Sequence, residues 1–279
     1  MKELIKIKKK STKMILLVFG GLGGIQSGPN LLTELQQAHS PNLDAIVRKS
    51  ICGLWHPLGR GLTPGPLVSL LSLLGYDVAA LIAKEKQLRP LYNQLDENPA
   101  VLEDLFKLVP LTPFDKKFEL NPVLFSNNPC VRQICSGLGF QIIENKTEKP
   151  EALLDLLIEK KPQHDFIFIY IDETNRYGQR GEYYEKIKTI EKIDPKLPQL
   201  KKIQHDVLAI TGDHSTPTEM LENSWHPLPV LIQSRWCRYD TIQSFDEVNC
   251  ALGGLGFIKS NEFMTLLLAN AHRLDTIGP

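Results

Sequence analysis

Six consecutive apolar or aromatic residues, Phe166-Ile167-Phe168-Ile169-Tyr170-Ile171, constrain this chain more than any other segment. A strand without polar alternation must be covered on both faces, which calls for a mostly parallel sheet packed between helices. Further strands are expected at Ile15–Phe19, Ile51–Trp55, Phe140–Ile143, Val207–Thr211 and Val230–Gln233. Helical patterns fall between them, at Asn42–Lys49, Pro66–Leu74, Val131–Ser136, Glu151–Glu159, Tyr183–Lys192 and Glu262–Leu274. Strands alternating with helices define a doubly wound α/β domain.

Two stretches break this rhythm. Residues 78–122 read as a short helical insertion, with helices over Ala79–Leu88, stopping before Pro90, and over Val101–Leu108, followed by Pro110, Pro113 and Pro122. The core is then made of residues 14–77 and 123–279. Residues 1–13 carry Lys2, Lys6, Lys8, Lys9, Lys10 and Lys13 and read as a basic, solvated arm. The apolar run Met14–Phe19 flows directly into Gly20-Gly21-Leu22-Gly23-Gly24 and reads as a buried first strand rather than a leader.

Composition excludes some functional classes. Lys+Arg and Asp+Glu balance at 32 each, so no dominant electrostatic attraction to a nucleic acid is expected. The five cysteines form no C-x-x-C pair, which suits free thiols in a reducing, cytoplasmic setting. No stretch reaches the ~18–20 apolar residues of a membrane span.

In open α/β sheets ligands sit at the carboxyl ends of the strands. There the chain carries Gly20–Gly24, Asp172–Gly181 and Thr211-Gly212-Asp213-His214-Ser215, with Thr63–Pro66 before a helix. The glycine run lacks the spacing of a nucleotide loop and reads as a tight turn. Asp213 and His214 are metal-ligand types side by side, but two ligands are too few for a stable site.

Several segments carry a family resemblance: Val18-Phe19-Gly20-Gly21-Leu22-Gly23, Ser40-Pro41-Asn42-Leu43-Asp44, Ile51-Cys52-Gly53-Leu54, and Pro64-Gly65 followed by Leu73-Leu74-Gly75-Tyr76-Asp77. Asp165–Gly181, Thr211–Pro217 and Cys250–Gly256 continue it in order. On these motifs the chain resembles the cofactor-independent phosphoglycerate mutases of archaeal type, in the alkaline phosphatase superfamily. The resemblance implies an alkaline phosphatase-like core, with residues 78–122 standing where the family has a much longer lid domain. It also implies phosphoryl transfer through a serine, between two divalent ions of manganese or zinc.

Carried over residue by residue, that site is degenerate. The family's first aspartate falls on Gly20, and the nucleophilic serine falls on Pro66, which has no hydroxyl. A nearby family histidine falls on Leu70. The Asp and His of the Thr-Asp-x-x-Gly-His segment fall on Asn175 and Gln179, with Thr174 and Gly178 kept. Asp213 and His214 survive, and the last histidine falls on Asn223, with His226 as an alternative. Carboxylates that lose their metals repel one another, so neutral Asn and Gln are the replacements a metal-free pocket would favour.

Three readings follow. The chain is a catalytically inactive pseudoenzyme that binds a protein partner or serves as a subunit of a larger assembly, with no cofactor. Alternatively it is a residual phosphoesterase, holding one metal on Asp213, His214 and His226, with Asp172 or Glu173 adding a carboxylate. Or it senses a phosphorylated metabolite through Arg60, Arg176 and Arg180. The apolar stretch Leu67–Leu74 is either core or a surface for a partner.

Overall fold

A computed structural model describes residues 7–8, 10–145 and 149–276. Eight strands form one sheet: β1 (Met14–Phe19), β2 (Ile51–Trp55), β3 (Pro122–Ser126), β4 (Gln141–Ile143), β5 (Phe166–Ile171), β6 (Val207–Gly212), β7 (Leu228–Ser234) and β8 (Gly256–Ile258). Their spatial order is β4-β3-β5-β1-β6-β7-β2-β8. Only β7 runs antiparallel, to both β6 and β2, so the sheet is mostly parallel as the unbroken apolar strands demand. β5 and β1 are buried along their whole length.

The chain leaves central β1 with β5 on one side and β6 on the other. This is the switch point at which loops from adjacent strands diverge and leave a crevice. Helices lie between the strands, near the expected positions. The helix Pro129–Gly137 shows the local logic: Asn128 caps it by accepting from Val131 N, and Pro129 sits at the first helical position, where no N–H is needed.

Two strands were not anticipated. β3 opens at Pro122, placed by the sequence in the insertion, because a proline is tolerated at the first residue of a strand. β8 is only three residues long, too short for periodicity to register. The helix Glu85–Gln94 runs through Pro90 rather than stopping before it. Pro90 is exposed, which leaves water to serve the carbonyl one turn back.

The Leu67–Leu74 stretch belongs to the core, not to a partner surface: Leu67, Val68, Leu70, Leu71, Leu73 and Leu74 are all buried. The region after residue 78 also packs inward. Phe114, from the helix Phe114–Phe118, stacks within 4.8 Å of Phe140 and 4.9 Å of Phe166 on β5. The basic segment is docked where it is described. Ile7 bridges Leu274, Lys8 N donates to Arg273 O, and Lys8 pairs with Asp275. The Arg273 guanidinium donates to Thr12 O and to Asp165, and Lys13 Nζ donates to Pro162 O. Lys2, Lys6 and Lys9 lie outside the described residues. Among the described residues no helix is long and apolar enough to cross a membrane.

Candidate functional site

The crevice at the ends of β1, β5 and β6 is filled with polar groups that bond to one another. Gly20 follows β1, and a Cβ there would lie 2.6 Å from the hydroxyl of Tyr170. That hydroxyl, near the end of β5, donates to Asp213 Oδ2 at 3.0 Å. Asp213 Oδ1 accepts from Gly21 N at 3.3 Å and lies 2.9 Å from His214 Nδ1. Despite that closeness, Nδ1 makes no aligned hydrogen bond. His214 Nε2 donates to Asn175 Oδ1 at 3.0 Å, and Thr216 Oγ1 donates to the same oxygen. Thr216 also reaches Asn223 Oδ1, and Asn223 Nδ2 donates to Pro64 O.

Backbone closeness makes this network possible. Gly21 has φ +67°, and a Cβ would strike Asn175 Cα at 2.7 Å. Gly178 abuts Thr216 O, which sets the helix Glu173–Arg180 against the loop after β6. Thr174 Oγ1 donates to Gly20 O at 2.6 Å and ties the same helix to the end of β1.

Of the positions singled out in the sequence, Gly20, Asn175, Asp213, His214 and Asn223 come together here. Gln179 is exposed, outside the network, and Pro66 opens the helix Pro66–Leu73 without a side-chain polar atom. Ser69 donates to Pro66 O and Ser72 to Pro57 O, and both are fully buried. His226 bonds Ser224 Oγ through Nδ1 and stacks on Trp225. Among the described residues no three His, Cys, Asp or Glu side chains group to hold a metal, and His226 does not join Asp213 and His214. The three arginines engage different elements. Arg60 lies over Phe257, Arg176 pairs with Glu173 and Asp172, and Arg180 is exposed.

Burial and neighbouring charges set the electrostatics of the crevice. Burial pushes Asp172 up to about 6, opposed by Arg176 and reinforced by the Asp213 and Glu173 charges. Burial and the Asp213 and Asp172 charges hold the Tyr170 hydroxyl well above its ordinary range, so it stays a donor.

Beneath the network lies a charged cluster that the sequence did not announce. Lys186 and Glu34 are both fully buried, with Nζ 3.5 Å from Glu34 Oε1. Lys186 also donates to Gly23 O and Thr216 O, while Glu34 accepts from Thr218 N. Glu247 accepts from Gly24 N and from Thr33 Oγ1. The cluster thereby clamps the loops after β1 and β6 to each other. Its signal was the register of Lys186, four residues before Ile190 on the buried stripe of the helix Tyr183–Ile193. Tyr170 had a signal too, since a buried phenol near the end of an aliphatic strand needs a hydrogen-bond partner.

Burial pushes Glu247 up to about 7, opposed by Thr33, Gly24 N–H and Lys186. Folding therefore makes this acid hold its proton more tightly. The stability it lends is full below the ordinary 4.5 and is lost as pH rises through about 7. Asp172 acts in the same direction between 3.8 and about 6. Urea unfolding across pH 4–8 is expected to show Glu247→Gln flattening this decline, by on the order of 1.4 kcal/mol per pH unit inside the window. An unchanged slope would mean that Glu247 is not the group responsible.

The family model described as the metalloenzyme superfamily matches residues 12–270. A probable 2,3-bisphosphoglycerate-independent phosphoglycerate mutase of Aquifex aeolicus is 34% identical, over 98% of this chain and 98% of that protein. The chain is a phosphoglycerate mutase-like member of the metalloenzyme superfamily. A protein of the same description from Thermotoga neapolitana is 37% identical over 203 residues, 71% of this chain and 50% of the relative. In that alignment the chain spans about half of the relative's length. Two solved structures share the fold. PH0037 of Pyrococcus horikoshii has a TM-score of 0.76 at 22% identity, covering 96% of this chain and 99% of its own. The cofactor-independent phosphoglycerate mutase of Thermoplasma acidophilum has a TM-score of 0.67 at 16% identity, covering 93% and 100%.

Family membership raises the question of two metal ions, and the residues present do not fit them. At Gly20, where the resemblance implies a carboxylate, the Tyr170 hydroxyl lies 2.6 Å from where a Cβ would stand. Both oxygens of Asp213 have protein donors, and His214 Nε2 is spent on Asn175.

Proposed function

We propose that this chain is a catalytically inactive mutase-like protein whose former metal crevice is a closed hydrogen-bond network, retained to bind a protein partner or to serve as a subunit. The observation that carries the reading is the Tyr170–Asp213 hydrogen bond, made where a Gly20 side chain would stand. The hydroxyl satisfies a lone pair of a buried carboxylate that would otherwise be open to a cation. Pro66 at the nucleophile position supports the same reading, since it offers nothing to phosphorylate. In this reading residues 78–122 are a reduced stand-in for the lid domain.

Apolar side chains exposed on loops at this end of the sheet, Leu31, Leu62, Leu221 and Trp225, favour a protein partner over a small substrate. The test is elemental analysis of untagged protein equilibrated with manganese and zinc, beside an assay of phosphoglycerate isomerisation. The expected result is far less than one equivalent of metal and no turnover. A full equivalent that disappears in Asp213→Ala would overturn the proposal.

A further inference from the structure

At the opposite end of the sheet, about 17 Å along β6 from the crevice, lies a cleft of about 520 Å³. It is bounded by the starts of β2 and β6 and the end of β7, because β7 runs antiparallel and brings Gln233, Ser234 and Arg235 to the level of Leu208. Its cationic lining is Arg48, Lys49, Lys201 and Arg235, with His205 and Tyr239 beside them. None of the four Lys and Arg side chains has a salt-bridge partner among the described residues. The single carboxylate in the lining, Asp206, accepts from Lys13 N at 2.8 Å. Asp44, one turn before Arg48, accepts from Phe245 N.

The neutral polar groups of the cleft are already used. Asn42 donates to Asp194, Gln233 to Ile46 O, and Ser234 Oγ to Asn270. His205 Nδ1 donates to Ile203 O, which leaves Nε2 as its unused nitrogen. Arg235 lies over the ring of Trp236 and Arg48 interacts with the Asp44 carboxylate, but none of the four cations is closed by an ion pair among the described residues, in a chain whose overall balance is zero. Four exposed cations lining one cleft, beside apolar walls from Leu197, Pro198 and Ala45, match a ligand with several anionic oxygens and a compact body.

We propose that this cleft binds a small polyanion carrying two or more linked phosphate groups, either free or attached to a nucleoside. The phosphates lie against Arg48, Lys49, Lys201 and Arg235. The exposed ring of Tyr239 offers a stacking face to a base when one is present. The proposal does not depend on the absence of metal chemistry at the other end of the sheet.

Calorimetric titration of the full chain with inorganic tripolyphosphate, and separately with ATP, both at about 0.15 M salt, tests it. Saturable one-to-one binding is expected, weakened about tenfold or more by Arg48→Glu and by Arg235→Glu, the loss of a charge-assisted contact. Lys86→Glu, the same charge change on the exposed helix Glu85–Gln94, should leave binding unchanged. Tyr239→Ala weakening ATP alone identifies a nucleotide, and equal affinities of both ligands unaffected by Tyr239→Ala identify the bare polyphosphate; either supports the proposal. No saturable binding at millimolar ligand, equal weakening by Lys86→Glu, or preference for an acidic peptide over both probes would overturn it.

Discussion

Replacing Lys186 by methionine is expected to destabilise the protein by about 3–5 kcal/mol, the cost of removing one partner from a buried ion pair. The lysine is fully buried between Glu34 and Glu247, and it donates to carbonyls on both site loops, Gly23 O and Thr216 O. Burial lowers its pKa, and the Glu34 and Glu247 charges oppose that shift only in part. Without it, Glu34 keeps Thr218 N as its one donor among the described residues, and its second oxygen has none. Denaturant unfolding at pH 8 and at pH 5 checks the argument. The loss should be larger at pH 8, where Glu247, pushed up to about 7, carries its charge. A combined Lys186→Met, Glu34→Gln, Glu247→Gln variant should recover part of the loss, because no uncompensated charge remains. A cost below about 1 kcal/mol for Lys186→Met alone would mean the cluster is not holding charge.

Trp55→Ala carries the other large expected effect, about 3–5 kcal/mol for an emptied aromatic site. Trp55 is fully buried at the end of β2 and packs 5.5 Å from Phe263. Its indole Nε1 reaches across to β6, donating to Thr211 Oγ1 at 2.9 Å and approaching Gly212 O at 3.2 Å. Those residues immediately precede Asp213, so the ring also fixes where the crevice begins. Trp55→Phe keeps most of the volume and loses the donor, and is expected to cost about 1–2 kcal/mol. Thermal and urea unfolding separate the two contributions. Equal losses for Ala and Phe would assign the whole effect to the hydrogen bond.

Much of the architecture was legible from pattern. Phe166–Ile171 had to be a strand buried on both faces, and it lies beside β1 near the middle of the sheet. Pro66, Pro41 and Pro129 all open helices, where a missing N–H costs nothing. β3 and β8 escaped because Pro122 marked a boundary and three residues are too few to display a period. Within the basic segment, the pairing of residues 7 and 8 with Leu274 and Arg273 was not legible, because a run of lysines carries no sign of what its backbone will pair with.

The chemistry divides in the same way. That other residues stand at the mutase-type positions Gly20, Pro66, Asn175 and Gln179 is what the resemblance implies, and it is read from the sequence alone, since identity at a motif position needs no coordinates. What fills the space left behind was decided only in three dimensions. Tyr170 reaches Asp213 across 43 residues, and Lys186 reaches Glu34 across 152. Neither partner is specified by local periodicity, which records which face is buried but not which groups meet there. The antiparallel turn of β7 likewise brings Arg235 beside Arg48 and Lys201, three cations that sequence distance keeps far apart. The sequence determined most of the elements and the family resemblance; the packing of β1, β5, β6 and β7 determined which polar groups find one another, because hydrogen bonds and ion pairs depend on distance in space.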